Sequence, residues 1–481
     1  MRVLNDIAPR PAAEYVLYWM TAARRTRWNY ALQRACEYGR TLRLPVLVLE
    51  ALRVDYPWAS ERFHRFVIDG MADNRARFEA HGVFYHPYVE PRAGDGQGLL
   101  EALATHAVVV VTDDYPAFFL PSMLRAAAER IRVRFEAVDS NGLVPMRAAD
   151  GTFATAYAFR RHLQRTLPAH LSHLPLPDPL AVHSAGAPSL SAAIPSSVLA
   201  RWPPADLTRR DSTIAALDID RAVGPTDLPG GPDAASARLA GFVERRLAEY
   251  ARDRNHPALD ATSGLSPYLH FGHVSAHEIF HRVAMREGWE PTRIHPEAKG
   301  QRVGWWGMSE DAEAFLDQVV TWRELGFNRC QRVDRYDAYE ALPPWARKTL
   351  REHAADPREW TYDRRALEEA RTHDPLWNAA QNQLRREGRI HNYLRMLWGK
   401  KILEWSDRPR TALDTMIALN DKYALDGRDP NSYTGILWIL GLHDRAWGPE
   451  RQIFGKIRYM SSANTARKLR LGSYVEDYRS P

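Results

Sequence analysis

Apolar runs of strand length alternate with charged segments of helical length through the first third of the chain. Five such runs, YVLYWM, LPVLVLE, VFYHPYVE, AVVVVTDDYP and VRFEAVDSN, begin at positions 15, 44, 83, 107 and 133. Continuous apolar strands joined by amphipathic crossovers are typical of a parallel sheet buried on both faces. The pattern therefore predicts a doubly wound, parallel α/β domain at residues 14–165. The segment TAARRTRWNY after the first run has no GxGxxG fingerprint, which excludes an ordinary dinucleotide-binding Rossmann motif.

The hydrophobic pattern changes in the middle of the chain. Residues 166–235 are rich in proline, alanine, serine and glycine and have no sustained period, which predicts an interdomain linker. From residue 236, segments such as SARLAGFVERRLAEYARDR and DAEAFLDQVVTWREL have a helical period. They predict a mostly α-helical domain at 236–481. Two domains also agree with the length of 481 residues, because single cores stop growing well below that size.

Composition narrows the classes of protein that remain. A net charge of +6 permits nucleic-acid binding without requiring it. No apolar run approaches twenty residues and the amino terminus has no signal-peptide core, so we expect no membrane association. Cys36 and Cys330 are too far apart in sequence to suggest a disulfide framework, and a reducing cytoplasm fits best. His162, His170 and His173 lack the spacing of a zinc site, so no metal is predicted.

Three segments have chemistry that the sequence alone leaves open. Thr262, Ser263, Gly264 and Ser266 precede Pro267, which indicates either a plain helix N-cap or, with Tyr250, a phosphate site. LNDKYALDGRDPNSY reads as a turn whose carboxylates could also neutralise Arg395 or bind ribose hydroxyls. The last forty or so positions interleave basic and aromatic residues, as a solvated surface or a phosphate-binding face would.

Two tryptophans seven residues apart mark the stretch RMLWGKKILEW. Trp398 and Trp405 would lie on one face of a helix, about 10 Å apart along its axis. That spacing suits core packing and also suits electron hopping between rings.

Five segments in order resemble the photolyase and cryptochrome family, and within it the class II cyclobutane pyrimidine dimer photolyases. They are TSGLSPYLHFG, DPLWNAAQ, HNYLRMLWGKKILEW, LNDKYALDGRDPNSY and HDRAWGPERQIFGKIRYM. The resemblance implies an antenna domain followed by a helical domain that holds a bent FAD. In such enzymes the light-excited, fully reduced flavin passes an electron to a dimer flipped out of DNA. A deazaflavin or a folate often serves as the antenna chromophore, but no residue in 1–140 chooses between them.

The resemblance also assigns roles to individual positions. FAD contacts fall on Tyr250, Thr262, Ser263, Gly264, Leu265, Ser266, Arg395, Asn420, Asp426, Arg428 and Asn431. The lesion pocket falls on Trp322, Met396 and Trp438, with Asn420 and Gln318 as further catalytic positions. Electron transfer falls on Trp398, Trp377 and Trp405, and strand wedging and phosphate contacts on Arg445, Trp447, Lys456 and Arg458.

The chain departs from the family pattern at three places. Gln318, rather than an acid, stands one turn before Trp322, with Asp317 as the neighbouring candidate. GFNRC replaces the usual Ala-Asp-Asn-Phe run, and Asn392 stands where glycine is common. We therefore expect a cytoplasmic, monomeric dimer-repair enzyme, with a cryptochrome-like photoreceptor or a repair-impaired homologue as the alternatives.

Overall fold

The apolar runs of the first third form a sheet in the computed structural model, which describes residues 1–184 and 194–480. Its strands are β1 (Arg2–Val3), β2 (Tyr15–Met20), β3 (Val46–Leu52), β4 (Phe84–Val89), β5 (Ala107–Asp113) and β6 (Arg134–Val138), in the spatial order β1-β6-β5-β2-β3-β4. Strands β2 to β6 pair with one another in parallel, which confirms the predicted α/β sheet. The antiparallel edge strand β1 was not predicted, because two residues are too short to show a period.

Helices cover both faces of this sheet. Successive side chains of each strand point to opposite faces, and the apolar strands therefore have side chains to bury on both sides. The first four are α1 (Tyr30–Leu42), α2 (Glu61–Ala80), α3 (Leu99–Ala104) and α4 (Leu120–Arg130). Val16 and Tyr18 pack in one core with residues of α1 and α2. Tyr15 and Leu17 pack in a second core with residues of α3 and α4.

A carboxylate fills the position where the strand order reverses, between β2 and β5. Asp113 Oδ2 accepts hydrogen bonds from the backbone N–H groups of Thr21, Ala22 and Ala23 at 2.8, 2.8 and 2.9 Å. Its Oδ1 accepts from the hydroxyl of Tyr18 at 2.9 Å. In nucleotide-binding folds of this kind, backbone N–H groups at the switch point receive a phosphate. Here an internal anion takes that place, which agrees with the missing glycine-rich motif.

The rest of the described chain is largely helical, as predicted. The further helices are α5 (Ala156–Leu171), α6 (Pro179–Ser184), α7 (Ser196–Arg201), α8 (Arg210–Ala215), α9 (Pro232–Arg245), α10 (Tyr250–Asp253), α11 (Ser266–His270), α12 (Ala276–Arg286), α13 (Glu310–Leu316), α14 (Arg323–Arg332), α15 (Pro344–Glu352), α16 (Arg364–Glu368), α17 (Pro375–Glu387), α18 (Asn392–Trp405), α19 (Pro409–Tyr423), α20 (Pro430–Ile439), α21 (Ser462–Leu469) and α22 (Gly472–Asp477). A π-helical turn, Asp317–Trp322, joins α13 to α14. Among the described residues, no helix is long and apolar enough to cross a membrane.

The chain divides into two compact units. The first contains Met1–Met146, Ala169–Ala240 and Leu265–Met285, and the second contains Arg147–Pro168, Gly241–Gly264 and the chain from Arg286 onward. The segment predicted as a linker includes α6, α7 and α8, and its residues 185–193 lie outside the described part of the chain. The domain limits at 165 and 235 stay predictions from sequence.

Helix α18 lies at the centre of the second unit, in contact with α17, α19 and α20. Gly399 allows this packing, because a Cβ atom there would lie 2.2 Å from Ile439 Cδ1 and 2.8 Å from Met416 S. Gly326 has the same function where α14 meets α20, with only 2.9 Å between its hypothetical Cβ and the Pro430 carbonyl oxygen. Neighbouring side chains at Gly399 and the backbone of α20 at Gly326 occupy the space that a Cβ atom would need, so these glycines allow the close packing of the helices that carry the predicted site.

Candidate functional site

The side chain of His391 caps the amino end of α18. His391 Nδ1 accepts a hydrogen bond from the Tyr393 N–H at 3.2 Å, and Nε2 lies 3.1 Å from the Arg254 carbonyl oxygen, to which it donates. Burial lowers the pKa of His391 to about 4, although the Arg254 carbonyl opposes this effect. The imidazole is therefore neutral at neutral pH, and it can accept at one nitrogen while it donates at the other.

An arginine and an aspartate meet one turn into α18, as predicted. Arg395 Nη2 donates to Asp426 Oδ1 at 2.8 Å and to Oδ2 at 3.2 Å, and the side chains are 12% and 14% exposed. Gly427 lets this loop fold back on α19, since a Cβ there would lie 2.8 Å from the Asn420 carbonyl oxygen. Arg395 Nε is buried and has no hydrogen-bond partner among the described residues. An additional acceptor at this point would satisfy it.

A buried polar network stands behind this pair, centred on Asp421. The Asn420 amide donates to Ser432 Oγ at 2.8 Å and to Asp421 Oδ1 at 3.3 Å. Asp421 also accepts from the Tyr433 hydroxyl and from the Arg428 N–H, each at 3.0 Å. Burial raises the pKa of Asp421, while the Arg428 guanidinium acts in the opposite direction. The network fixes the orientation of the Asn420 amide. The sequence did not indicate that Asp421 would be the central acceptor of this network.

The two other predicted cofactor positions in this loop have turn geometry. Arg428 has a left-handed backbone with φ of 62°, and its Nη2 donates to the Ala424 carbonyl oxygen at 3.3 Å. Asn431 is exposed, and its backbone N–H donates to Asp429 Oδ1 at the start of α20. Of the two asparagines predicted to contact FAD, Asn420 is buried and Asn431 is exposed.

The three predicted lesion-pocket side chains are all partly exposed and lie on different elements. Trp322 ends the π-helical turn, Met396 is on α18 and Trp438 is on α20. Below Trp438, the ammonium group of Lys400 lies 5.7 Å from the ring centroid and donates to the Ile439 carbonyl oxygen. Burial lowers the pKa of Lys400 to about 7.

The structure separates the two candidates for the acidic position. Asp317 is committed to Arg160, whose Nε and Nη2 donate to Oδ1 and Oδ2 at 2.9 and 3.3 Å. Gln318 is only half-buried, and because the guanidinium of Arg254 can only donate, the amide is assigned the orientation in which its oxygen accepts from Nη1 and Nη2 at 3.0 and 3.3 Å. The NH₂ group of Gln318 therefore faces away from that guanidinium. Sequence reasoning missed Arg254, although its position four residues after Tyr250 placed it on the same helix face.

The three predicted electron-transfer tryptophans are buried in the second unit. Trp377 Nε1 donates to the Trp398 carbonyl oxygen at 3.0 Å, and Trp398 Nε1 donates to Gln381 Oε1 at 2.9 Å. The rings of Trp377 and Trp405 are in edge contact, with 5.5 Å between centroids and 71° between planes. Trp377 therefore connects Trp398 and Trp405 in one buried cluster. The spacing of those two residues in the sequence had suggested either core packing or electron hopping.

The residues predicted to bind phosphate differ in environment. Tyr250 is buried in edge contact with Phe242 and Phe315, and the Arg254 guanidinium lies 5.5 Å from its ring centroid. Thr262, Ser263 and Gly264 are half-buried, and Gly264 has a φ of 66° that favours glycine. Leu265 is buried, whereas Ser266 is exposed at the start of α11; these two residues belong to the first unit.

Two of the four predicted DNA contacts stack on a third. The guanidinium groups of Arg445 and Arg458 lie 4.6 and 5.0 Å from the Trp447 ring centroid. Trp447 Nε1 is held by the Asp444 carboxylate, with both oxygens at 3.2 Å. Both arginines are exposed, so their outer N–H groups can reach a phosphate.

The same basic cluster reaches the predicted lesion pocket. The Arg458 guanidinium is 5.9 Å from the Trp438 ring centroid as well. Lys456, the fourth predicted contact, is exposed, and its ammonium lies 3.2 Å from Glu450 Oε1, which partly neutralises it.

Full-length relatives are found among characterised proteins. The chain is 35% identical over 486 residues to the deoxyribodipyrimidine photo-lyase of Methanothermobacter thermautotrophicus, covering 100% of this chain and 98% of that protein. It is 34% identical over 493 residues to the enzyme of the same name from Oryza sativa subsp. japonica, covering 99% and 89%. A search with family models found no match.

A solved structure has the same fold. The bacterial class III photolyase from Agrobacterium tumefaciens superposes with a TM-score of 0.71 over 98% of this chain and 88% of that one, at 17% identity. At that identity the likeness concerns the fold alone, and it confirms an α/β region followed by a helical region.

Proposed function

The chain belongs to the deoxyribodipyrimidine photo-lyase family, with full-length relatives of the class II type, and we propose that it uses light and FAD to repair cyclobutane pyrimidine dimers in DNA. One observation carries the proposal beyond family membership. Within four consecutive positions, α18 places Arg395 in a partly unsatisfied ion pair, Met396 in a partly exposed position and Trp398 in the buried aromatic cluster. A flavoenzyme of this family needs these three functions side by side.

The residues present fit a bound flavin. Arg395 Nε is a buried donor without a partner, and an acceptor atom on a flavin ring would complete its hydrogen bonding. Asp426 holds the guanidinium, and the Asp421 network holds the Asn420 amide at the same loop. Tyr250, Thr262, Ser263 and Gly264, which belong to the second unit, would contribute to holding the phosphates. FAD supplies the light absorption and the one-electron chemistry when it is bound.

The lesion-binding role follows from the chemistry of the exposed side chains. Aromatic faces on Trp322 and Trp438 stack on bases, and the polarizable thioether of Met396 fits an irregular apolar surface. Gln318 would donate a hydrogen bond from its NH₂ group to a base carbonyl, because its oxygen is engaged by Arg254. An amide donates in this way at any pH at which the protein is folded.

The basic cluster would hold the DNA beside the extruded lesion. Arg445, Lys456 and Arg458 supply positive charge for phosphates, and Trp447 offers a flat face next to Trp438. Removing a dimer from the stack costs less than removing a paired base, because its pairing is already damaged. We infer no membrane partner, and we propose that the chain acts as a monomer in the cytoplasm. An antenna chromophore, a deazaflavin or a folate, stays part of the proposal.

Electron supply is assigned to the buried tryptophans. Trp398 would be the flavin-proximal donor, Trp377 its distal partner and Trp405 a further member in contact with Trp377. A Trp398→Phe variant should keep its FAD and reduce it poorly under light. Normal photoreduction in that variant would return the cluster to a packing role.

Repair of dimer-containing DNA tests the proposed function directly. The full chain with reduced FAD should restore thymine dimers in single- and double-stranded oligonucleotides under blue light, and it should leave them intact in the dark. Protein that retains reduced FAD and still leaves dimers intact under light would contradict the proposal. That outcome would favour the photoreceptor or the repair-impaired homologue.

A further inference from the structure

Helix α5 presents a row of exposed side chains beside a loop that carries two further cations. Tyr157, Arg161 and Arg165 are exposed and follow one another at intervals of four residues, so they lie on one face of the helix. Lys299 and Arg302 are exposed on the loop. We call these five side chains, which all belong to the second unit, the α5 face.

The neighbouring, buried face of α5 holds this loop by its backbone. Gln164 Oε1 accepts a hydrogen bond from the Gly300 N–H at 2.6 Å, and Gln164 Nε2 donates to the Gln301 carbonyl oxygen at 2.8 Å. Arg160 Nη1 donates to the Gly300 carbonyl oxygen at 3.3 Å. Three hydrogen bonds from two buried side chains therefore fix the position of the loop on the helix.

Glycine at position 300 brings the loop directly against the exposed side chains of the helix. Its φ of 105° lies in the region that favours glycine. A Cβ atom at this position would lie 2.6 Å from the Tyr157 ring and 2.7 Å from Arg161 Cγ. Lys299 and Arg302 flank this contact in the sequence, so the cations of the loop and of the helix form one surface.

The four cations of the α5 face are left without carboxylate partners. None of them forms an ion pair among the residues that the structure describes. Several other exposed arginines of the second unit do have such partners, as Arg410 has Glu340 and Arg365 has Glu369. Like charges gathered on one surface repel one another and attract an anion. The α5 face therefore fits a partner that carries several negative charges.

We propose that the α5 face binds phosphates of double-stranded DNA on the Trp322 side of the proposed lesion pocket. The inference rests on the proposed function. Arg160, which holds the loop, also donates to Asp317, the first residue of the π-helical turn that ends at Trp322. Arg458 of the basic cluster lies instead beside Trp438. Each of the two basic surfaces thus adjoins a different aromatic side chain of the pocket, and DNA that reaches the pocket has phosphates on both sides of it.

The chemistry of the α5 face suits a phosphate backbone. The guanidinium groups of Arg161 and Arg302 can each donate two hydrogen bonds to one phosphate, and such contacts do not depend on the base sequence. Proteins bind single strands by stacking successive bases on aromatic rings as well as by charge. The α5 face has four cations but only one aromatic ring, that of Tyr157, so it fits the backbone of a duplex better than unstacked bases.

The salt dependence of duplex binding by the FAD-containing full chain tests the assignment. Each phosphate contact contributes about 0.9 to the slope of log affinity against log salt concentration, so Lys299→Ala with Arg302→Ala should lower that slope by about 2 and weaken binding about tenfold at low salt. The matched control, Arg364→Ala with Arg408→Ala, removes two exposed charges of the same unit outside both basic surfaces and should leave the slope unchanged.

A variant that keeps the net charge separates position from charge. Gly300→Ala retains Lys299 and Arg302 but forces the loop away from Tyr157 and Arg161, so it should also lower the slope and weaken binding. The losses should be equal on undamaged and on dimer-containing duplexes, because phosphate contacts do not read the bases.

The outcomes distinguish this inference from the proposed function. Loss of duplex binding in the variants of the loop, together with an unmodified protein that repairs no dimers under light, would contradict the proposed function alone. A slope for Lys299→Ala with Arg302→Ala equal to that of the unmodified protein or of the control would overturn the inference, and so would a loss limited to dimer-containing DNA. Unchanged duplex binding with lost binding of polyglutamate would assign the face to an acidic protein instead.

Discussion

Two partly or fully buried pairs of arginine and aspartate in the second unit differ in how many nitrogens of the guanidinium have a hydrogen-bond acceptor. Arg160 and Asp317 are 8% and 2% exposed, and all three nitrogens of the guanidinium donate, two to the carboxylate and Nη1 to the Gly300 carbonyl oxygen. Arg395 and Asp426 are slightly more exposed, and Nε of the arginine is left without a partner. In the first, complete pair, all three arginine nitrogens have acceptors in the protein. In the second, incomplete pair, Nε is available to donate to a ligand.

The difference separates a structural ion pair from a binding one. Buried charges are tolerated when every donor is satisfied, and a buried unsatisfied donor costs about 1–3 kcal/mol. A bound ligand is one of the groups that can supply the missing acceptor to such a donor. By this comparison, Arg160 with Asp317 forms a satisfied ion pair at the π-helical turn, and Arg395 with Asp426 is the pair that we propose for the cofactor site.

The largest expected effect comes from breaking the complete pair. Asp317→Ala leaves the Arg160 charge buried and unpaired, and should lower the free energy of unfolding of the second unit by about 3–5 kcal/mol. Urea unfolding followed by tryptophan fluorescence measures this. The control Glu340→Ala removes the partner of exposed Arg410, and should change the free energy of unfolding little, because solvent screens that pair. Equal losses in the two variants would refute the structural role of Asp317.

Breaking the incomplete pair, Arg395 with Asp426, should lower the affinity for FAD more than it lowers the free energy of unfolding. Arg395→Leu removes hydrogen bonds to a charged donor, each of which contributes about 1.5–3 kcal/mol, so FAD affinity should fall about tenfold to a hundredfold. Flavin fluorescence after gel filtration measures retention, and urea unfolding of the FAD-free chain should show a smaller loss than in Asp317→Ala, because Asp426 is more exposed to water than Arg160 is. The exposed Arg445→Leu is the matched control and should retain FAD. A variant at Arg395 that binds FAD normally would remove the distinction between the pairs.

The sequence alone predicted more of the fold and of the family membership than of the candidate site. The five parallel strands were predicted because their apolar runs exceed anything that a surface segment contains, and Arg395 with Asp426 followed from the motif order. The sequence could not choose between Asp317 and Gln318, because a π-helical turn changes the number of residues per turn just where the choice depends on it. A partner far along the chain, such as Arg160 for Asp317, carries no local pattern. It becomes visible only when the helices are packed.

The smallest effect should come from adding a third pair beside the first two. Gln318→Glu places a carboxylate next to the Arg254 guanidinium at a half-buried position, and there the free energy of unfolding should change by less than about 1 kcal/mol. Arg254 favours the ionised form of such a carboxylate, which accepts hydrogen bonds and no longer donates one. Repair by the variant should therefore rise as the pH falls and the carboxyl becomes a donor, whereas the amide of the unmodified protein contributes no such dependence. The same pH dependence of dimer repair in the two proteins would show that residue 318 does not contact the lesion. Its side chain would then only satisfy the Arg254 guanidinium, as Asp317 satisfies Arg160.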